Sequence, residues 1–145
     1  MSRTKELIEN MHLLSMNVRQ YIHRKLSELH LDITYEMVRV LLILSQKEHL
    51  NQQQIADITF KHKASLTSLI DNMQKRGLVL RSEDAGDRRS KIIILTERGK
   101  ELVNVVRPVF DDMLILLYED TTDEEINLLN GLIVRMNKSV EQMKA

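Results

Sequence analysis

Two short cationic clusters stand out as the residues able to do chemistry. Lys61, His62 and Lys63 form the first; Arg88, Arg89 and Lys91 form the second, three cations in four positions. Local positive charge of this kind suits a phosphate backbone. Just after the first cluster come Ala64, Ser65, Thr67 and Ser68. Small side chains let a backbone approach a groove closely, and hydroxyls bond to base edges or phosphates. Together these residues point to double-stranded DNA as a partner. Asp87 directly precedes the arginines and reads as a brace that neutralises or orients one of them.

Other chemistries find less support. The chain has no cysteine, which excludes disulfides, thiol redox sensing and cysteine-ligated zinc. His23 and His30 share a helix face but stand about 10 Å apart along its axis, too far for one metal. No histidine cluster has zinc-ligand spacing, and neither metal nor cofactor is expected. No Gly-rich phosphate loop, His-Glu-x-x-His or Gly-x-Ser-x-Gly occurs, so the sequence does not read as an enzyme.

The elements that must position the cations follow from periodicity. Thr34 caps a helix of roughly Tyr35 to Gln46, and Asn51 with Gln54 boxes the start of a short helix, Gln52 to Thr59. A longer helix of about Lys63 to Arg76 carries Leu66, Leu69, Ile70 and Met73 at i, i+3, i+4 and i+7, with Gly77 at its end. Leu78 to Ser82 and Lys91 to Leu95 read as strands joined by a polar loop, hence a hairpin whose tip holds the second cluster. A short helix, a turn and a longer helix beside a basic hairpin make a winged helix-turn-helix. In that motif the second helix enters the major groove N-terminus first. The basic hairpin then reaches the adjacent minor groove, whose negative potential attracts arginine.

Long helices flank this lobe. From Thr4 to about Leu29, the residues Leu7, Met11, Leu14, Val18 and Tyr21 follow a 4-3-4-3 seam. Thr96 caps a helix of about Glu97 to Tyr118, with Pro108 expected to kink it near Val105. Thr122 to Glu125 boxes a last helix to about Met143. The fold class is therefore mainly α with a small β-hairpin wing. The chain reads as one domain, 1–145, with a DNA-binding lobe at 34–100 and dimerisation helices at 1–30 and 101–145. Apolar stripes at both ends call for a second copy around a twofold axis.

Composition agrees. The chain of 145 residues is 43% hydrophobic and 29% charged, with zero net charge. The charge is partitioned: residues 61–100 carry net +5 and residues 101–145 net −5. The N-terminus has no signal-peptide pattern, and apolar runs such as Val40 to Leu44 are too short to span a membrane. The expected location is the cytoplasm, with no membrane partner. The eight methionines read mostly as core filler. His12, Met16, Tyr21 and Met37 are candidates for lining a ligand crevice.

The stretch from about Thr34 to Leu102 resembles the MarR family (multiple-antibiotic-resistance regulators). The resemblance rests on Asn51-Gln-Gln-Gln-Ile-Ala56, Leu69-Ile-Asp-Asn-Met73, Lys75-Arg-Gly-Leu-Val79, Asp87-Arg-Arg89 and Leu95-Thr-Glu-Arg-Gly99. The flanking helices also fit in length and order. The resemblance implies a homodimer joined through its end helices and a pseudo-palindromic operator. It implies that Asp87 and Arg89 are the wing pair, with Arg89 in the minor groove. It further implies a repressor, released by a small aromatic ligand in a crevice between the dimerisation helices and the lobe. The chain departs from the family in two places. Ser68 stands where a basic residue is frequent, and the N-terminal cysteine of the redox-sensing branch is absent. The alternative is a winged-helix module that binds protein; the basic wing argues against it, because such a module has no reason to gather Arg88, Arg89 and Lys91.

Overall fold

A computed structural model describes residues 2–86 and 91–143. The chain forms two compact units, Met1–Asp111 and Asp112–Ala145. The element order is α1 (Ser2–Glu28), α2 (Tyr35–Gln46), α3 (Gln52–Thr59), α4 (Lys63–Lys75), β1 (Val79–Glu83), β2 (Lys91–Leu95), α5 (Glu97–Tyr118) and α6 (Asp123–Gln142). The fold is thus mainly helical with one small hairpin, as the periodicity indicates. Among the described residues no helix is long and apolar enough to cross a membrane.

In the first unit, the apolar stripes of α2, α3 and α4 converge. Leu41, Ile55, Leu66, Ile70 and Met73 are fully buried, and Val79 and Ile93 of the hairpin close the same core. The strands pair antiparallel, with Val79 opposite Leu95, Arg81 opposite Ile93 and Glu83 opposite Lys91. The second edge of β2 is covered as well. The N–H of Ile93 donates to the carbonyl of Leu50 at 2.9 Å, and Asn51 bridges to Ile92. The hairpin is thereby fastened to the residues that start α3, and no long edge is left open there.

Caps set the helix boundaries. The Thr34 hydroxyl accepts from the N–H of Met37. Asn51 and Gln54 satisfy each other's backbone N–H at 2.9 and 2.8 Å. α4 ends in a Schellman turn: Leu78 N–H bonds Met73 C=O and Gly77 N–H bonds Gln74 C=O, with Gly77 at φ +68°. β1 starts at Val79, one residue after the expected Leu78, because Leu78 belongs to this turn. Its carbonyl accepts from the N–H of Thr96, whose hydroxyl donates to the carbonyl of Gly77. Gly99 then sits so near Leu78 that a Cβ there would lie 2.1 Å from that carbonyl oxygen. The Leu-Thr-x-x-Gly motif is therefore a packing device. Thr96 caps α5 and ties it to the turn after α4, and Gly99 lets the first turn of α5 approach.

α1 buries only Ile22 and Leu26 within its unit; Leu7, Ile8 and Leu14 stay exposed. In the second unit the box between Thr122 and Glu125 starts α6. α6 buries no residue there, and Leu128, Leu129 and Leu132 are exposed.

Candidate nucleic-acid interface

α4 is held by its buried stripe, so its opposite face is presented outward. Lys63, Ala64, Ser65 and Ser68 are exposed on that face, as is His62 before it. The His62 side chain makes no capping bond to α4. The first-turn N–H groups are thus left for another acceptor, and a helix N-terminus with open amides favours an anion.

Two expected residues are placed differently from a freely presented side chain. Thr67 is half-buried; its hydroxyl donates to the carbonyl of Lys63 at 2.9 Å and accepts from Gln52 Nε2 at 2.5 Å. It joins α4 to α3. Lys61 is also half-buried, and its charge contributes to lowering the pKa of Glu36 on α2. Ser68 Oγ donates back to the carbonyl of Ala64 at 3.3 Å and remains exposed.

Arg81, which periodicity did not single out, ties the hairpin to α4. Its guanidinium lies 2.6 Å from Asp71 Oδ1, 2.7 Å from Gln74 Oε1 and 3.3 Å from Gln52 Oε1. One side chain on β1 thus grips α4 at two positions and α3 at one. No local spacing reveals this, because Asp71 and Arg81 meet only once the hairpin folds back. Arg76, the C-cap of α4, works similarly at the same end of the helix, bonding Asn72 Oδ1 at 2.9 Å and the backbone carbonyl of Asp32.

On the hairpin, Lys91 is exposed at the start of β2, opposite Glu83. The loop begins with an Asx turn, Gly86 N–H donating to Asp84 Oδ1 at 3.0 Å. Asp87, Arg88 and Arg89 lie outside the described residues.

The four candidate ligand residues do not gather in one cavity. His12 and Met16 are exposed on α1, Tyr21 is half-buried, and Met37 belongs to the core at 2% exposure. A cavity of about 490 Å³ lies instead between α2, β2 and α5. Leu44, Ile93 and Val103 give it an apolar wall, and Arg107, which donates to Ser45 Oγ at 2.7 Å, a cationic end.

Residues 31–90 match the profile of the MarR family. The HTH-type transcriptional regulator SarZ of Staphylococcus epidermidis is 31% identical over 114 residues, covering 76% of each chain. The transcriptional regulator HosA of Escherichia coli is 27% identical over 105 residues, 72% of this chain and 78% of HosA. The crystal structure of the S. aureus MepR–DNA complex superposes with a TM-score of 0.81 at 28% identity, over 90% of this chain and 93% of MepR. The profile falls on the helix-turn-helix and the first strand of the hairpin, and SarZ extends the likeness over most of the chain: the protein belongs to the MarR family.

Proposed function

We propose that the protein is a DNA-binding transcription regulator that acts as a homodimer on a pseudo-palindromic operator. The observation that carries this reading is the N-terminus of α4. It is exposed and uncapped, bears small and hydroxyl side chains, and opens with the cationic run Lys61-His62-Lys63, while the C-terminal half of the same helix is tied to the wing strand by Arg81. His62, Lys63, Ala64, Ser65 and Ser68 meet the groove and its phosphates. Lys61 adds charge, and Thr67 holds the helix on α3. Arg88, Arg89 and Lys91 supply the minor-groove arm, with Asp87 as brace, on the sequence pattern of the wing. MepR, at 28% identity, has been captured on DNA, which supports the same role here.

Dimerisation is supported by the exposed apolar residues of α1 and α6, which a soluble monomer rarely leaves bare in such number. The end helices 1–30 and 101–145 would form that interface around the lobe 34–100. A regulator of this kind works in the cytoplasm, where its DNA lies. Repression, with release by a small aromatic ligand, completes the proposal. The cavity beside Arg107 is of ligand size, since such pockets span about 300–1,000 Å³.

Fluorescence anisotropy tests the DNA reading. The duplex upstream of the protein's own gene is titrated against a scrambled duplex across a salt series. The reading expects tighter binding to the upstream duplex and a steep fall with salt. Absence of binding to both, even at low salt, overturns it in favour of a protein-interaction module.

A further inference from the structure

The turn between α3 and α4 has the same hydrogen-bond pattern as the turn after α4. Lys61 N–H bonds Ala56 C=O at 3.1 Å and Phe60 N–H bonds Asp57 C=O at 3.3 Å. This closure needs a left-handed residue at its centre. After α4 that residue is Gly77, which bears the conformation without steric penalty. After α3 it is Phe60, at φ +53°. Among the described residues, the other non-glycine residues in the left-handed region are His30 and His49. Histidine is several-fold enriched there, whereas a bulky side chain is an outlier.

Burial does not explain the choice. Phe60 is 90% exposed, the most exposed large hydrophobic residue among the described residues. Neither the backbone nor the core selects phenylalanine at this position. Strain held at an exposed residue is a mark of function.

The surroundings decide between partners. Asp57, His62 and Lys63 nearby are polar and exposed, so Phe60 is no part of a wide apolar patch of the kind that docks protein. It is a single ring in a cationic segment, just before the uncapped start of α4. A duplex matches that pattern, because it alternates phosphates with apolar deoxyribose rings and thymine methyl groups.

We infer that Phe60 is a DNA-contacting side chain that lays its ring on the apolar surface of the duplex where α4 meets the backbone. This inference rests on the DNA-binding reading above. The strained turn pre-sets the ring, so no rotamer-rich chain has to be ordered on binding.

The test uses the full-length protein and a duplex that the wild type enriches from a random pool. Phe60→Gly and Phe60→Asn both suit the left-handed turn and remove the ring. The inference expects the melting temperature of Phe60→Gly to stay level or rise by about 2–4 °C. It expects affinity for the selected duplex to fall roughly tenfold, the effect of losing part of a buried aromatic surface. Because no cation is lost, the salt slope stays that of the wild type, whereas Lys63→Ala lowers it. Phe60→Tyr keeps the ring and retains affinity. Replacing thymine by deoxyuridine across the duplex separates the two contacts: wild-type affinity falls if the ring meets a methyl group and holds if it meets the sugar. Equal affinity of Phe60→Gly and wild type overturns the inference and leaves the regulator reading standing. A wild type that enriches no duplex overturns both.

Discussion

The guanidinium of Arg81 on β1 and the carboxylate of Asp71 on α4 lie 2.6 Å apart, and this pair couples the orientation of the hairpin to that of α4. Gln52 and Gln74 complete the grip. The pair is partly solvated, with Arg81 at 25% side-chain exposure and Asp71 at 49%, so its contribution to stability is modest, about 1 kcal/mol or less. Its larger role is geometric. Arg81→Met is expected to leave the melting temperature within a few degrees of wild type while weakening DNA binding several-fold. Amide exchange in β1 and β2 should speed up in the same variant. Unchanged affinity and unchanged exchange would show that the core alone orients the hairpin.

Gly99 and Gly77 should respond differently to alanine. At Gly99 a Cβ would meet the Leu78 carbonyl oxygen at 2.1 Å, and backbone cannot retreat as a side-chain tip can. Gly99→Ala should destabilise by about 3 kcal/mol, at the upper end for overpacking. At Gly77 the space is open and only the conformation resists, so Gly77→Ala should cost about 1 kcal/mol. Urea unfolding of both variants measures the order; equal losses would contradict the close approach of α5.

Acid should loosen the contact between α1 and α2. Burial pushes the Glu36 carboxyl up, but its hydrogen bond with Arg19 and the charges of Arg19 and Lys61 outweigh that and leave its pKa lowered. A carboxylate with a lowered folded pKa stabilises the fold above its unfolded pKa, and that contribution fades as pH falls through the folded value. Glu36→Gln should therefore be less stable than wild type at neutral pH, and the gap should close below about pH 4. Thermal melts between pH 3 and 7 follow it (on the order of the ordinary carboxylate range). A gap independent of pH would mean that packing, not charge, links the two helices.

A charge on α6 should split the proposed dimer. Leu129 is exposed at 42% on a helix that buries nothing within its own unit. Leu129→Glu should sediment as a folded monomer and lose operator affinity, because one half-site binds far more weakly than two linked ones. A Leu129→Glu protein that stays dimeric would remove α6 from the interface.

The helices and their caps were legible in the sequence because they rest on local rules. The boxes at Asn51 and Thr122 and the glycine after α4 fix boundaries within a few residues. The stripe of Leu66, Ile70 and Met73 told which face of α4 is hidden, and so which residues it presents. Tertiary bonds were not legible. The helical spacing puts Thr67 at the border of the outward face but says nothing of Gln52, which reaches it from α3. Arg81 carries no local signal because its partners lie on other elements. Phe60 was hidden for a different reason: an exposed phenylalanine in a turn looks unremarkable until its left-handed φ is known.

The central claim is that two copies of α4 enter successive major grooves of one duplex. Hydroxyl-radical footprinting on the selected duplex tests this most directly. The account predicts two equivalent protected patches related by a twofold axis, with centres about 10–10.5 base pairs apart or a multiple of that. Protection spread evenly along the DNA, or one isolated patch, would contradict it.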